Sequence, residues 1–107
     1  MLALVLIETT MRIAILEDDP MQSQLVDEVV TAAGHDCHVF ENGAKLIREC
    51  ARESYDLFIL DWEVPEANGP DVLKWIRSSI ETLVPVIFVT SRDTEDDITA
   101  VLNAGAD

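Results

Sequence analysis

Basic residues are scarce in this chain. Seven Lys and Arg stand against 21 Asp and Glu, a formal net charge of −14 over 107 residues. A surface that grips a nucleic-acid backbone needs a basic stripe, so this balance argues against direct nucleic-acid binding. Cysteine is nearly absent. Cys37 and Cys50 stand apart and form no Cys-x-x-Cys motif, so buried or incidental thiols of a cytoplasmic protein are expected. Long apolar runs are missing too. The opening "MLALVLIETT" carries six consecutive apolar residues from Leu2 to Ile7, far below the ~20 a membrane span requires. It also lacks the basic start and small-residue cleavage site of a signal peptide. No membrane partner is therefore expected. No repeat, low-complexity tract or linker interrupts the chain, whose length suits one domain.

What is present is a core. Apolar residues make up 49% of the sequence, and they fall into alternating patterns. Arg12 to Leu16 reads as a strand, and Asp19-Pro20 as a helix start with proline in the first turn. Met21, Leu25, Val29 and Ala32 recur at spacings of three and four, predicting one apolar stripe on that helix. Gly34 ends it. "CHVF" is a second strand, and Asn42 caps a helix carrying Leu46, Ile47 and Cys50. "LFIL", Leu57 to Leu60, reads as a strand buried on both faces. A helix with Val72, Leu73 and Ile76 follows the loop "DWEVPEANG". "PVIFVT", Pro85 to Thr90, reads as a further buried strand. Thr94 then caps a last helix bearing Ile98, Val101 and Leu102.

This β-α alternation predicts an α/β domain, a doubly wound parallel sheet with helices on both faces. Functional groups in such folds collect at the carboxyl ends of the strands. That rim would gather Glu17, Asp18 and Asp19 after the first strand, Asp61 after the third and Thr90 after the fourth. Three carboxylates in one crevice repel one another strongly. A hard divalent cation such as Mg²⁺, bound through oxygens, removes the conflict. A nucleophilic carboxylate beside Mg²⁺, with a hydroxyl opposite, is a phosphoryl-acceptor arrangement. Each piece alone has a plainer reading: acids favoured by a helix N-terminus, a turn aspartate, a β-branched strand residue.

"RIAILEDDP", "DLFILDWEVPEANGPDVLKWIR", "VPVIFVTSRD" and "AGAD", in this order and spacing, resemble the receiver domain of two-component response regulators. The resemblance covers residues 11–107 and leaves 1–10 as an apolar extension. It implies the flavodoxin-like strand order, 2-1-3-4 for the strands visible here. It also implies transfer of a phosphoryl group from a sensor histidine kinase or phosphotransfer protein. By position, Asp61 matches the phosphoacceptor. Asp18 matches a direct metal ligand, with Glu17 acting mostly through water and the Glu63 backbone carbonyl completing the protein ligands to Mg²⁺. Thr90 matches the hydroxyl that contacts the phosphoryl group. Pro65 and Gly69 match the loop that shapes the site, and Asp19 faces the helix start. Glu63 and Arg92 flank the path of the attacking water and have opposite charges, so they are candidates to pair across its mouth. Such a protein is a signalling phosphoacceptor whose only catalysis is on itself, not an enzyme.

The sequence departs from the family after "AGAD". The fifth strand, with its lysine and aromatic, and the fifth helix are missing, which reads as a truncated chain or a fragment of a longer regulator. Lys45 and Lys74 fall on predicted helices, and neither matches the phosphate-contacting lysine. The alternative function is therefore a receiver-like interaction or dimerisation module that no longer switches. A homodimer through the N-terminal segment or the exposed edge of the fourth strand is the expected assembly. An aspartate-nucleophile phosphohydrolase is a weaker alternative, since "DWE" supplies Asp-x-Glu where haloacid dehalogenase-type enzymes use Asp-x-Asp.

Overall fold

A computed structural model describes residues 10–62, 68–80 and 83–88. Within them the chain runs β1 (Arg12–Leu16), α1 (Pro20–Ala32), β2 (Asp36–Phe40), α2 (Gly43–Glu49), β3 (Leu57–Leu60), α3 (Gly69–Ser79) and β4 (Val86–Phe88). The four strands form one sheet in the order β2-β1-β3-β4, every neighbouring pair parallel. This is the α/β arrangement that the alternation predicts. The last expected helix, the end of the "PVIFVT" strand and the N-terminal apolar segment lie outside the described residues.

Each helix begins where a side chain replaces a missing backbone partner. The Asp19 carboxylate accepts from the Met21 N–H at 3.1 Å, with Pro20 supplying a first-turn residue that has no N–H to satisfy. The Asn42 side chain accepts from the Lys45 N–H at 2.9 Å, and Asn68 from the Asp71 N–H at 3.1 Å. Gly34, at φ 91°, closes α1: its N–H reaches the Thr31 carbonyl, and the His35 N–H reaches that of Val30. A left-handed residue at this position is the ordinary glycine stop.

The pleat sorts the core into two layers. Ala14, Leu16, Phe58, Leu60 and Val86 point to one face and bury against Leu46 of α2 and Val72, Leu73 and Ile76 of α3. Ile13 and Ile15 point to the other and meet Val30 and Val26 of α1. Two expectations are corrected here. The stripe Met21, Leu25 and Val29 faces solvent, with exposures of 81%, 62% and 64%, and Ala32 is exposed with it. Two apolar rows lie side by side on α1, and the packing of α1 over β1 and β2 selects the row of Val26 and Val30. "LFIL" is buried on one face only. Leu57 and Ile59 are half-buried, because among the described residues α1 is the only helix on their side, and it packs over β1 and β2.

No helix among the described residues is long and apolar enough to cross a membrane. Cys37 and Cys50 are free thiols, and burial pushes them up to about 12 and about 11. They are therefore poor nucleophiles.

Candidate functional site

The carboxyl ends of β1 and β3 are adjacent, because β1 pairs with β3 through Leu16 and Leu60. The ladder continues one residue beyond each strand. The Glu17 N–H donates to the Phe40 carbonyl at 3.0 Å, and the Asp61 N–H donates to the Leu16 carbonyl at 2.9 Å. The backbones of Glu17 and Asp61 are thus held by sheet hydrogen bonds rather than left to loops, which favours a precise site. One carboxylate oxygen from each of Glu17, Asp18 and Asp61 lies within 4.8 Å of the others. Three oxygen donors at that spacing suit a small hard cation. The structure therefore brings together three of the acids picked from the sequence. Asp19 is turned away to cap α1, as expected.

The three acids have different surroundings. Glu17 is buried at 7% exposure, Asp61 is half-buried and Asp18 is exposed. Burial holds the Glu17 carboxyl above its ordinary range, opposed by the Asp19 N–H donated to Glu17 Oε2 at 3.1 Å, while Asp61 and Asp18 push it further up. The Asp61 Oδ1 accepts from the Trp62 N–H at 2.7 Å.

Gly69 locks this end of β3. Its N–H donates to the Trp62 carbonyl at 3.1 Å. A Cβ added there would stand 2.1 Å from the Asp61 carbonyl oxygen and 2.7 Å from Phe88 Cε1. Close approach, rather than a special φ, requires glycine here. The Trp62 and Phe88 rings lie 5.7 Å apart beside it.

On the β2 side a cleft of about 310 Å³ opens beside the acids, and its lining includes Glu17, Asp18, Phe40, Glu41 and Lys45. In the sequence Lys45 stands only as a lysine that does not match the phosphate-contacting one, and Glu41 is not among the candidate residues. The signal was an i,i+4 acid–base pair spanning the Asn42 cap. Lys45 lies on α2 and Lys74 on α3. Glu63, Pro65, Thr90 and Arg92 lie outside the described residues, so the expected carbonyl ligand, hydroxyl contact and Glu63–Arg92 pair have no geometry here.

The response regulator receiver domain family matches this chain over residues 13–107. The chain belongs to that family. The transcriptional activator protein IrlR of Burkholderia pseudomallei is 37% identical over 97 residues, covering 91% of this chain and 42% of the relative. The DNA-binding response regulator MtrA of Mycolicibacterium smegmatis is 29% identical over 96 residues, covering 90% and 41%. The chain thus spans about two-fifths of the length of these relatives. Among solved structures, the BeF₃-activated N-terminal receiver domain of Klebsiella pneumoniae RstA superposes with a TM-score of 0.82 at 27% identity, covering 89% of this chain and 80% of that one. The family is the receiver domain of the response regulators of two-component systems.

Proposed function

We propose that this chain is a phosphoacceptor switch that takes a phosphoryl group from a sensor histidine kinase or phosphotransfer protein onto Asp61. The observation that carries this reading is the convergence of Glu17, Asp18 and Asp61 at the ends of adjacent strands. An Asp61 carboxylate oxygen forms the new O–P bond as the P–N bond of the donor phosphohistidine breaks and its electron pair returns to the imidazole. Asp18, Asp61 and the Glu63 carbonyl would hold Mg²⁺, with Glu17 acting through water. When bound, Mg²⁺ neutralises charge on the phosphoryl oxygens. The ladder bond from the Asp61 N–H to the Leu16 carbonyl and the close fit of Gly69 orient the nucleophile. The Thr90 hydroxyl donates to a phosphoryl oxygen and reports the modification. Residues 11–107 constitute this unit, residues 1–10 extend it, and the cytoplasm, where kinases present phosphohistidine, is its compartment.

Trp62 is the natural reporter, since its N–H is bonded to Asp61. Titrating Mg²⁺ should change its fluorescence saturably, and Asp18→Asn should weaken the response at least tenfold, consistent with the ~1.4 kcal/mol expected from one charge-assisted ligand. An equal response in parent and variant would remove Asp18 from the site.

A second reading, an interaction module working through its sheet edge, draws on Ile87. It is 43% exposed on β4, one of the two edge strands among the described residues. Self-association that persists in Asp61→Ala would favour it.

A further inference from the structure

Among the described residues that line the cleft beside the acids, Lys45 is the one cation. Its ammonium is paired with Glu41 at 2.6 Å, across the turn that Asn42 caps. Both side chains are substantially exposed, so packing locks neither. An exposed pair of this kind is weak and exchanges readily, and the four-carbon lysine stem rotates freely. Where the ammonium goes when Glu41 releases it is decided by the charges around it. Lys45 also borders a second cleft of about 450 Å³ lined by Phe40, Arg48, Glu49 and Arg52. Its two arginines outnumber the one carboxylate, Glu49, and so disfavour a further cation on that side. On the other side stand Glu17 and Asp18, with Asp61 within reach of both carboxylates. The electrostatic gradient therefore runs from the arginines towards the acid cluster.

We infer that Lys45 is an internal competitor for the divalent-cation site, and that Glu41 holds it in reserve. With Glu41 in place the ammonium is kept at the cleft's rim and the acids are free to take Mg²⁺. Without Glu41 the ammonium moves onto Asp18 and opposes the metal. The Glu41–Lys45 pair is thus a positioning device that sets Mg²⁺ affinity. It rests on the reading of Glu17, Asp18 and Asp61 as a Mg²⁺ site.

The test is a double-mutant cycle on the full chain, with Mg²⁺ affinity read by titration calorimetry and folding checked by thermal melting. Lys45→Met should raise the affinity roughly two- to fivefold, and Glu41→Gln should lower it by a similar factor. In the Lys45→Met background, Glu41→Gln should change the affinity by no more than about 1.5-fold, because its effect acts through the lysine. Lys45→Arg, which keeps the charge, should stay near the parent. Lys45→Gln replaces Lys45→Met if the latter melts early. An unchanged affinity in both neutral variants overturns the inference. So does an equal effect of Glu41→Gln in both backgrounds, since that would be the long-range charge of Glu41 alone. A parent chain that binds no Mg²⁺ overturns the site reading and this inference together, whereas a parent that binds Mg²⁺ normally while the cycle shows no coupling overturns only the inference.

Discussion

Gly69→Ala puts a methyl group where the fold has no space. The new Cβ would stand 2.1 Å from the Asp61 carbonyl oxygen, 3.0 Å from the Asp61 carbonyl carbon and 2.7 Å from Phe88 Cε1. The phenyl ring can turn away, but the carbonyl belongs to a backbone tied down on both sides. The Asp61 N–H is bonded to Leu16, and the Gly69 N–H to the Trp62 carbonyl. Relief needs a backbone shift of about 1 Å, which breaks or stretches one of these bonds. Overpacking ordinarily costs about 1–3 kcal/mol, and a backbone clash belongs at the top of that range, about 3 kcal/mol. For a domain of this size that lowers the melting temperature by roughly 12–20 °C. Gly34→Ala is the control. Nothing lies within 4 Å of its added Cβ, and only the φ of 91° opposes it, so it should cost about 1 kcal/mol. Thermal melting by circular dichroism compares the two, and Trp62 fluorescence reports whether the end of β3 has moved. If Gly69→Ala melts within about 2 °C of the parent, or above Gly34→Ala, the close approach assigned to Gly69 is wrong.

Two further predictions follow from titrating groups. The folded-state pKa of Glu17 is raised, chiefly by burial, so its ionisation opposes folding: its contribution is most favourable below the unfolded value and is lost as pH rises through the folded one. Glu17→Gln should therefore raise the metal-free melting temperature at pH 7, with the gain fading as pH falls through the ordinary carboxylate range; a gain that is largest in acid would reverse the assigned cause. For the thiols, pKa values of about 12 for Cys37 and about 11 for Cys50 against the ordinary 9.0 imply alkylation at pH 8 slowed roughly 1000-fold and 100-fold in the folded chain. Iodoacetamide labelling followed by mass spectrometry, native against urea-unfolded, checks this, and rapid native labelling of Cys37 would contradict it.

Element boundaries were legible in the sequence where residues act locally. Asp19-Pro20, Gly34 and Asn42 mark helix ends through their own hydrogen bonds and φ angles, and the structure places the ends there. The rotation of α1 was not legible. Leu25 and Val29 make as good a stripe as Val26 and Val30, and only the packing of α1 over β1 and β2 selects the second. The partial exposure of Leu57 and Ile59 likewise depends on how far α1 reaches across the sheet. At the site, Glu17, Asp18 and Asp61 were legible because each follows an apolar strand in a parallel fold. The burial of Glu17 was not, since the direction a side chain takes just beyond a strand is set by the packing around it. Glu41 and Lys45 were not legible as neighbours of the acids, because Glu41 lies in the β2–α2 connection and Lys45 in the first turn of α2. Only the pairing of Leu16 with Phe40 brings that connection beside the acids.

Incubating the chain with a small acyl phosphate, with and without Mg²⁺, and locating any added phosphate by mass spectrometry asks whether Asp61 is the acceptor. One phosphoryl group is expected, on Asp61, formed in the presence of Mg²⁺ and absent in Asp61→Asn. A folded chain that binds Mg²⁺ yet stays unmodified, or one that is labelled equally in Asp61→Asn, would contradict it.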